Sequence, residues 1–283
     1  MTPLLINMDD YVQSGEGANG ASYNHKTDPS VMLKMYFKNF EFAKKELELA
    51  QKVYAIGIPT PEPGDLVTDG ERMGIRFKRL EGKRSYARAV GDDPSKAEEY
   101  GREFAMMCKQ LHEVHLDTTQ FPNVKDHYLK LLAQNPFFTA EQKEKIHNFI
   151  KNAPDSDTAL HGDLQFGNAL FVDKQTNGEL HRERYFIDLG DFCYGYPMFD
   201  LGMVYDCCCI SDEGFVKEAF HMDRQTAVRF WKAFAPVYFG PDADLEEKEK
   251  EVRIYAGLKT LIIERDTGCA MPDFRALLEG VIY

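Results

Sequence analysis

The sequence predicts an α+β chain in two parts: a small antiparallel sheet with one helix over residues 1–80, and a larger, mainly helical part over residues 81–283. Three observations carry this. Strand-like runs separated by glycine, proline and Asx turns fill the chain up to Leu80. From Ser85 onward, apolar residues recur at helical spacing. One stretch breaks that helical pattern: the short apolar runs Ala169–Val172 and Tyr185–Ile187, joined by a polar segment with Asn and Gly, read as a β-hairpin.

In chain order, the start MTPLLINMDD lacks the basic flank and apolar core of a signal peptide. Gly15, Gly17 and Gly20 then form a G-x-G-x-x-G. Alone this spacing also fits a dinucleotide site, but such a site should open a helix. Here a polar turn with Pro29 and the strand-like Val31–Tyr36 follow, so the glycines read as a loop between antiparallel strands. Lys34 lies mid-strand, where a plain solvent-facing lysine is the ordinary alternative. Phe40–Ile56 is helical by pattern, with Phe42, Leu47, Leu49, Ala50 and Val53 on its apolar face; Gly57-Ile58-Pro59 stops it. Two strands about the Asp69-Gly70 turn, Asp65–Thr68 and Met73–Leu80, complete an expected five-stranded sheet. Pro94–His115, Tyr128–Leu132 and Ala140–Lys151 read as helices, another begins near Asp200, and Phe215–Tyr283 is helical and mixed.

The hairpin sets the chemistry. His161-Gly162-Asp163, four residues, then Asn168 lie on the loop before its first strand, and Asp188 ends its second. Loops and strand ends on a rigid scaffold are where reactive groups are usually placed. Phosphoryl transfer needs Mg²⁺ on the phosphates and a carboxylate to orient the attacking hydroxyl. Mg²⁺ takes oxygen ligands, usually one or two protein carboxylates beside phosphate and water. An Asp, an Asn and a second Asp in this order supply that set, although HGD triplets also occur in ordinary turns.

The HGD-x4-N loop, the Ile187-Asp188 strand end, the glycine loop and Lys34 together resemble the aminoglycoside phosphotransferase and choline kinase-like family, which has the protein-kinase-like fold. The resemblance spans most of the chain, and agreement across separate segments lifts it above one motif. It implies a bilobal molecule with ATP or GTP in the cleft and Mg²⁺ as cofactor. It makes Asp163 the catalytic base and Asn168 and Asp188 the metal ligands. Gly15, Gly17 and Gly20 would cover the phosphates, and Lys34, paired with Glu46, would hold them; Glu48 is the competing partner. The backbone of Arg79, Leu80 and Glu81 would meet the adenine edge. Asp200 would support the catalytic loop, and Asp191 would be a turn residue or a further acid near the metal. The acceptor would be a hydroxyl of a small molecule: an aminoglycoside, choline or ethanolamine, a fructosamine, homoserine or methylthioribose.

A protein kinase fits less well. His161 is followed by Gly162 rather than arginine, and the gap from Asp188 to the helix beginning near Asp200 is too short for a peptide-docking activation segment. A non-catalytic nucleotide-binding regulatory protein of the same fold is the other alternative, although Asp163 and Asp188 are both present. The net charge of −12 argues against a nucleic-acid partner. It suits a cationic acceptor, or simply solubility. The acidic run Asp242–Glu251 is either a solvated helix face or part of an acceptor site. His112 and His115 read as structural. No apolar run approaches the roughly 20 residues that cross a bilayer, and the six cysteines show no disulfide or zinc spacing. A cytoplasmic monomer or weak dimer is expected.

Overall fold

The computed structural model describes residues 2–17, 20–37 and 40–283. In chain order, β1 (Leu4–Leu5), β2 (Tyr11–Gly17), β3 (Gly20–His25) and β4 (Val31–Tyr36) precede α1 (Phe40–Ala55), followed by β5 (Pro63–Thr68), β6 (Met73–Lys78) and β7 (Arg84–Ser85). Helices α2 (Tyr86–Asp92), α3 (Ala97–His112), α4 (Val124–Gln134) and α5 (Ala140–Asn152) come next, then β8 (Ala159–Leu160), β9 (Ala169–Thr176), β10 (Glu179–Phe186) and β11 (Cys193–Tyr194). The chain ends with α6 (Met198–Tyr205), a π-helical turn at Asp206–Ile210, α7 (Glu213–Phe220), α8 (Arg224–Phe239), α9 (Leu245–Gly257), α10 (Thr260–Thr267), α11 (Pro272–Ala276) and α12 (Glu279–Ile282). The class is α+β, as expected.

The chain divides into two compact units. The first takes residues up to Ser85 together with Asn168–Asp191; the second takes Tyr86–Gly167 and Phe192–Tyr283. In the first unit the large sheet runs β1-β5-β6-β4-β3-β2. It has six strands where five were expected, because Leu4 and Leu5 pair in parallel with Val67 and Thr68. Two residues are too few to carry a readable period. Alternation along β4 sorts its side chains between faces. Leu33 and Met35 are fully buried with Val67, beneath Ile6, Met8, Tyr11 and Tyr23. Lys34 points to the opposite face, toward α1.

The hairpin is longer than the apolar runs alone suggested. β9 and β10 pair from Ala169↔Phe186 out to Thr176↔Glu179. The turn is Asn177-Gly178, both with positive φ (56° and 84°), the conformation that Asn-Gly favours in a tight hairpin. The outer halves of both strands are exposed, and apart from the exposed Leu180 no apolar residue marked them in the sequence.

In the second unit, α3 presents Tyr100, Gly101, Phe104, Cys108 and Leu111 as one buried stripe. It packs on α8, and a Cβ at Gly101 would meet the Phe230 carbonyl at 2.5 Å, so these helices meet backbone to backbone at this point. α3 starts at Ala97 rather than Pro94: residues Pro94–Lys96 form a separate 3-10 turn, capped by the Asp93 side chain on the Ser95 N–H. Gly202 on α6 similarly lies against the Tyr255 backbone of α9. Asp200 lies on α6, Asp206 directly follows that helix, and Lys259 lies between α9 and α10.

Candidate phosphotransfer site

In the first unit, Lys34 is the centre of an ion-pair cluster. Its Nζ donates to Glu46 Oε1 at 2.8 Å and Oε2 at 3.0 Å, and to Asp188 Oδ1 at 2.8 Å. Glu46 is buried on the inner face of α1 while Glu48 is exposed, so the competition between the two is settled for Glu46. Burial alone would lower the Lys34 pKa, but Glu46 and Asp188 outweigh it and raise it, so the ammonium stays charged. Burial pushes the Glu46 carboxyl up, with Lys34 opposing. The Tyr36 ring lies 5.2 Å from the Lys34 ammonium.

Asn168 immediately precedes β9 and Asp188 lies two residues beyond β10. Because Ala169 pairs with Phe186, both come to the same end of the hairpin, and the Ile187 N–H donates to the Asn168 carbonyl at 2.9 Å. Asp188 has φ 62°, a left-handed conformation uncommon outside glycine and enriched at functional sites. Its side chain is 36% exposed, whereas that of Glu46 is 2% exposed, so only Asp188 keeps oxygen surface available. Among the described residues, no group of three or more His, Cys, Asp or Glu is arranged to hold a metal. The Asn168–Asp188 pair fits Mg²⁺ instead, which usually takes few protein oxygens and completes its shell with phosphate and water.

The other first-unit residues are placed more loosely. Gly15 and Gly17 lie at the end of β2, and Gly20 opens β3; residues 18 and 19 between them lie outside the described residues. Gly20 is also needed for packing, since a Cβ there would collide with the Met35 carbonyl. Arg79, Leu80 and Glu81 follow β6 and line a cavity of about 400 Å³ with Tyr54, Val172 and Tyr185. The Arg79 N–H already donates to the Ser30 carbonyl at 2.7 Å, so it is not a donor for a base. Asp191 sits on a short 3-10 turn with Lys45 at 3.7 Å.

In the second unit, the loop carrying Asp163 is held from below by Asp200. The buried Asp200 carboxylate accepts from the His161 N–H at 2.7 Å and the Gly162 N–H at 2.9 Å. Gly162 has φ 82°, which a side chain would resist, and this turn presents both amides to one carboxylate. His112 Nε2 lies 3.2 Å from Asp200, and His112 Nδ1 lies 2.6 Å from the Tyr238 hydroxyl. His112 is therefore a structural partner. Burial would raise the Asp200 pKa, but the His112 hydrogen bond and the nearby histidine and amide groups hold it below the ordinary range. Asp163 itself is half-buried, and its N–H donates to His161 Nδ1 at 3.3 Å.

Sequence reasoning missed three buried groups of the second unit: Tyr128 on α4, Asp206 on the π-helical turn, and Lys259 between α9 and α10. A signal for Lys259 existed. With Tyr255, Leu258 and Ile262 it completes an i, i+3, i+4, i+7 set, which places a lysine on a core-facing stripe. Glu249 and Glu251, from the acidic run, are half-buried and accept from Tyr205 (3.0 Å), Trp231 (3.4 Å) and Tyr196 (2.7 Å), whereas Glu246 and Glu247 are exposed.

Comparison with solved structures shows the protein-kinase-like fold. Aminoglycoside phosphotransferase APH(2'')-Ib with ADP bound has 18% identity over 95% of this chain and 92% of that one, with a TM-score of 0.56. A thermostable mutant of aminoglycoside phosphotransferase APH(4)-Ia, in ternary complex with ADP and hygromycin B, has 13% identity over 95% and 93%, with a TM-score of 0.59. A choline/ethanolamine kinase family protein from Mesorhizobium loti has 16% identity over 96% and 85%, with a TM-score of 0.51. Comparison with curated protein sequences gives no significant match. Residues 12–234, most of the chain, match the sequence profile of the phosphotransferase enzyme family (APH), and the chain belongs to that family.

Proposed function

We propose that this protein transfers the terminal phosphoryl group of ATP or GTP to a hydroxyl of a small molecule, with Mg²⁺ as cofactor. The observation that carries the reading is the lysine cluster of the first unit. A charged Lys34, fixed by buried Glu46, stands 2.8 Å from Asp188 at the hairpin end that also carries Asn168. Lys34 holds donor phosphates, and Glu46 keeps its side chain in one geometry. Asn168 and Asp188 hold the metal, which supplies charge neutralisation to the phosphates when bound. Asp163 accepts the proton of the acceptor hydroxyl, and Asp200 fixes the loop that carries it. Residues 1–80 supply most donor-side groups, and the helices within 81–283 supply the acceptor side.

The solved structures similar to this chain include complexes with ADP and with hygromycin B, which supports a nucleotide donor and a small polyhydroxyl or amine-bearing acceptor. The negative net charge favours a cationic acceptor. Among the described residues, no helix is long and apolar enough to cross a membrane, and all six thiols are free, which suits a cytoplasmic location.

The test is ADP or GDP release with Mg²⁺ across hygromycin B, gentamicin, choline, ethanolamine, a fructosamine, homoserine and methylthioribose. Release dependent on one acceptor is expected, with Asp163→Asn lowering it by about 10²- to 10⁴-fold while Mg-nucleotide binding is largely retained. Nucleotide binding without release on any acceptor would shift the reading to a non-catalytic nucleotide-binding protein. Unchanged turnover in Asp163→Asn would remove Asp163 from its role.

A further inference from the structure

Lys83 lies between β6 and β7 in the first unit and is half-buried. Its ammonium donates to the sulfur of Met32, 3.5 Å away. A thioether is a weak acceptor, whereas an ammonium carries three strong donors. Among the described residues, the charge acting on Lys83 is a second cation, Arg79, and no carboxylate offsets it. Burial, and then Arg79, lower its pKa. A lysine drawn out of water with no counter-charge costs free energy until an acceptor meets it.

The register of the sheet shows what else borders Met32. Met32 pairs with Asn24 of β3 and Phe77 of β6, and Lys34, two residues on, pairs with Ser22 and Ile75. Directly opposed residues share a face, as do residues two apart on one strand. Asn24, Met32 and Phe77 therefore form a row beside the row of Lys34, about 7 Å along the strand. Both rows lie on the face opposite the Leu33–Met35 core. Met32 adds a soft, adaptable surface that packs well on a flat aromatic ring. The side-chain oxygen of Asn24 is buried and, among the described residues, has no hydrogen-bond partner. Buried polar atoms are nearly always paired, so this orphan marks a site that something else completes. A donor and an acceptor thus border the same methionine, and neither serves the other.

We propose that this row binds the base of the donor nucleotide and that Lys83 selects guanine over adenine. The proposal rests on the phosphotransferase reading above, which puts the phosphates at Lys34. One way along β4 from Lys34 leads to Tyr36, which is fully buried. The other leads to Met32, so the ribose sets the base back toward that row. Guanine presents two adjacent acceptors, O6 and N7, which one lysine engages together. Adenine presents N7 beside its N6 amine, a donor that an ammonium cannot pair with. Asn24 supplies an oxygen for an N–H of the same base. An asparagine reads adenine by giving both its oxygen and its nitrogen to one edge; at Asn24 the buried, unpartnered atom is the oxygen.

The experiment measures binding of Mg-GTP and Mg-ATP by calorimetry, with no acceptor present, to the wild type, Lys83→Met and Lys83→Arg. The wild type is expected to bind Mg-GTP about 5- to 150-fold more tightly than Mg-ATP, the range for one bidentate base contact. Lys83→Met keeps the apolar stem and removes the donors, so Mg-GTP binding weakens by that factor and the preference disappears, while Mg-ATP binding stays within about twofold. Lys83→Arg, whose guanidinium also pairs with O6 and N7, keeps most of the preference. In the wild type, 7-deaza-GTP, with C–H in place of N7, binds more weakly than GTP, a comparison that needs no variant to fold. With a phosphorylated acceptor, the loss in Lys83→Met falls on the KM for GTP and not on kcat. Equal affinity of the wild type for the two nucleotides, a preference for ATP, a loss in Lys83→Met shared equally by both, or 7-deaza-GTP binding as tightly as GTP overturns the inference and leaves the phosphotransferase reading in place. A preference for GTP that Lys83→Met abolishes upholds it even where no acceptor is phosphorylated. A wild type that binds neither nucleotide overturns both.

Discussion

Each unit of the chain contains a lysine among carboxylates, and the two are built differently. Lys34 makes three charge-assisted hydrogen bonds of 2.8–3.0 Å to Glu46 and Asp188, and its side chain is 19% exposed. Lys259 is 1% exposed within packed helices, its ammonium 5.7 Å from the centre of the Tyr128 ring. The first is open enough for one partner, Asp188, to be given up to a ligand. The second is closed, and its partners can only be tuned. A phosphate-binding lysine needs the first construction, because the incoming anion must reach it. A lysine that no incoming anion reaches can take the second, where low dielectric strengthens its interaction with the groups around it.

The largest effect that tests this contrast is expected at Asp200. Asp200→Ala leaves the His161 and Gly162 amides and His112 without their buried acceptor. Removing one member of a buried charged network typically costs about 3–5 kcal/mol, read as a fall in chemical-denaturation stability at pH 7. The sign with pH follows from the pKa direction. The folded Asp200 carboxyl lies below the ordinary range, so its stabilisation is present at neutral pH and is lost as pH falls through that depressed value. The gap between wild type and variant should therefore narrow on acidification. A constant gap from neutral pH to pH 2 would mean that Asp200 contributes through packing alone, and the closed cluster would not be electrostatic in origin.

Asp206 lies in the same closed cluster and carries the opposite sign. Burial pushes its carboxyl from 3.8 up to about 6, against the opposing pull of Ser211, Lys259 and Arg224. A raised folded pKa means that the native state binds the extra proton, so stability falls as pH rises from about 4 to about 6 and is level above that. A shift of about two units corresponds to about 3 kcal/mol, an order-of-magnitude figure. Asp206→Asn keeps an oxygen to accept from the Ser211 hydroxyl and cannot titrate. Its stability should be flat across this window relative to the wild type. If the variant shows the same slope as the wild type between pH 4 and 6, the titrating group lies elsewhere.

The open cluster was legible in the sequence, and of the closed one only Asp163 and Asp200 were, for a physical reason. Lys34, Asp163, Asn168 and Asp188 sit on loops and strands whose spacing is set by short local geometry: a glycine turn, a hairpin, a strand end. Glu46 came from the family resemblance, by its place early on α1, and choosing it over Glu48 required knowing which face turned inward. Arg79–Glu81 could be located only as the end of a strand, because backbone recognition leaves no side-chain signature. The closed cluster draws Tyr128, Asp163, Asp200, Asp206 and Lys259 from separate helices and loops spanning more than half of the second unit's sequence. No local period records such a convergence. The same limit explains the fold: helices with strong apolar stripes were found, while the two-residue β1 and the exposed outer halves of β9 and β10 carried no pattern to read.

The smallest expected effect sharpens the contrast within one helix. Glu46→Gln keeps the size of the side chain and removes the charge that fixes Lys34. Loss of a group that orients a ligand-binding side chain typically costs about 10- to 100-fold, by analogy with residues that orient metal ligands, and it should appear mainly in kcat/KM for the nucleotide. Glu48→Gln, two residues away on the exposed face of α1, should change stability by no more than about 0.5 kcal/mol and leave turnover as it is. Steady-state kinetics with varied Mg-ATP or Mg-GTP decide between them. Equal losses in the two variants would mean that α1 acts through its overall charge rather than through one buried carboxylate. A loss at Glu46 alone ties the function of the open cluster to the single hydrogen-bonded geometry in which Lys34 is held.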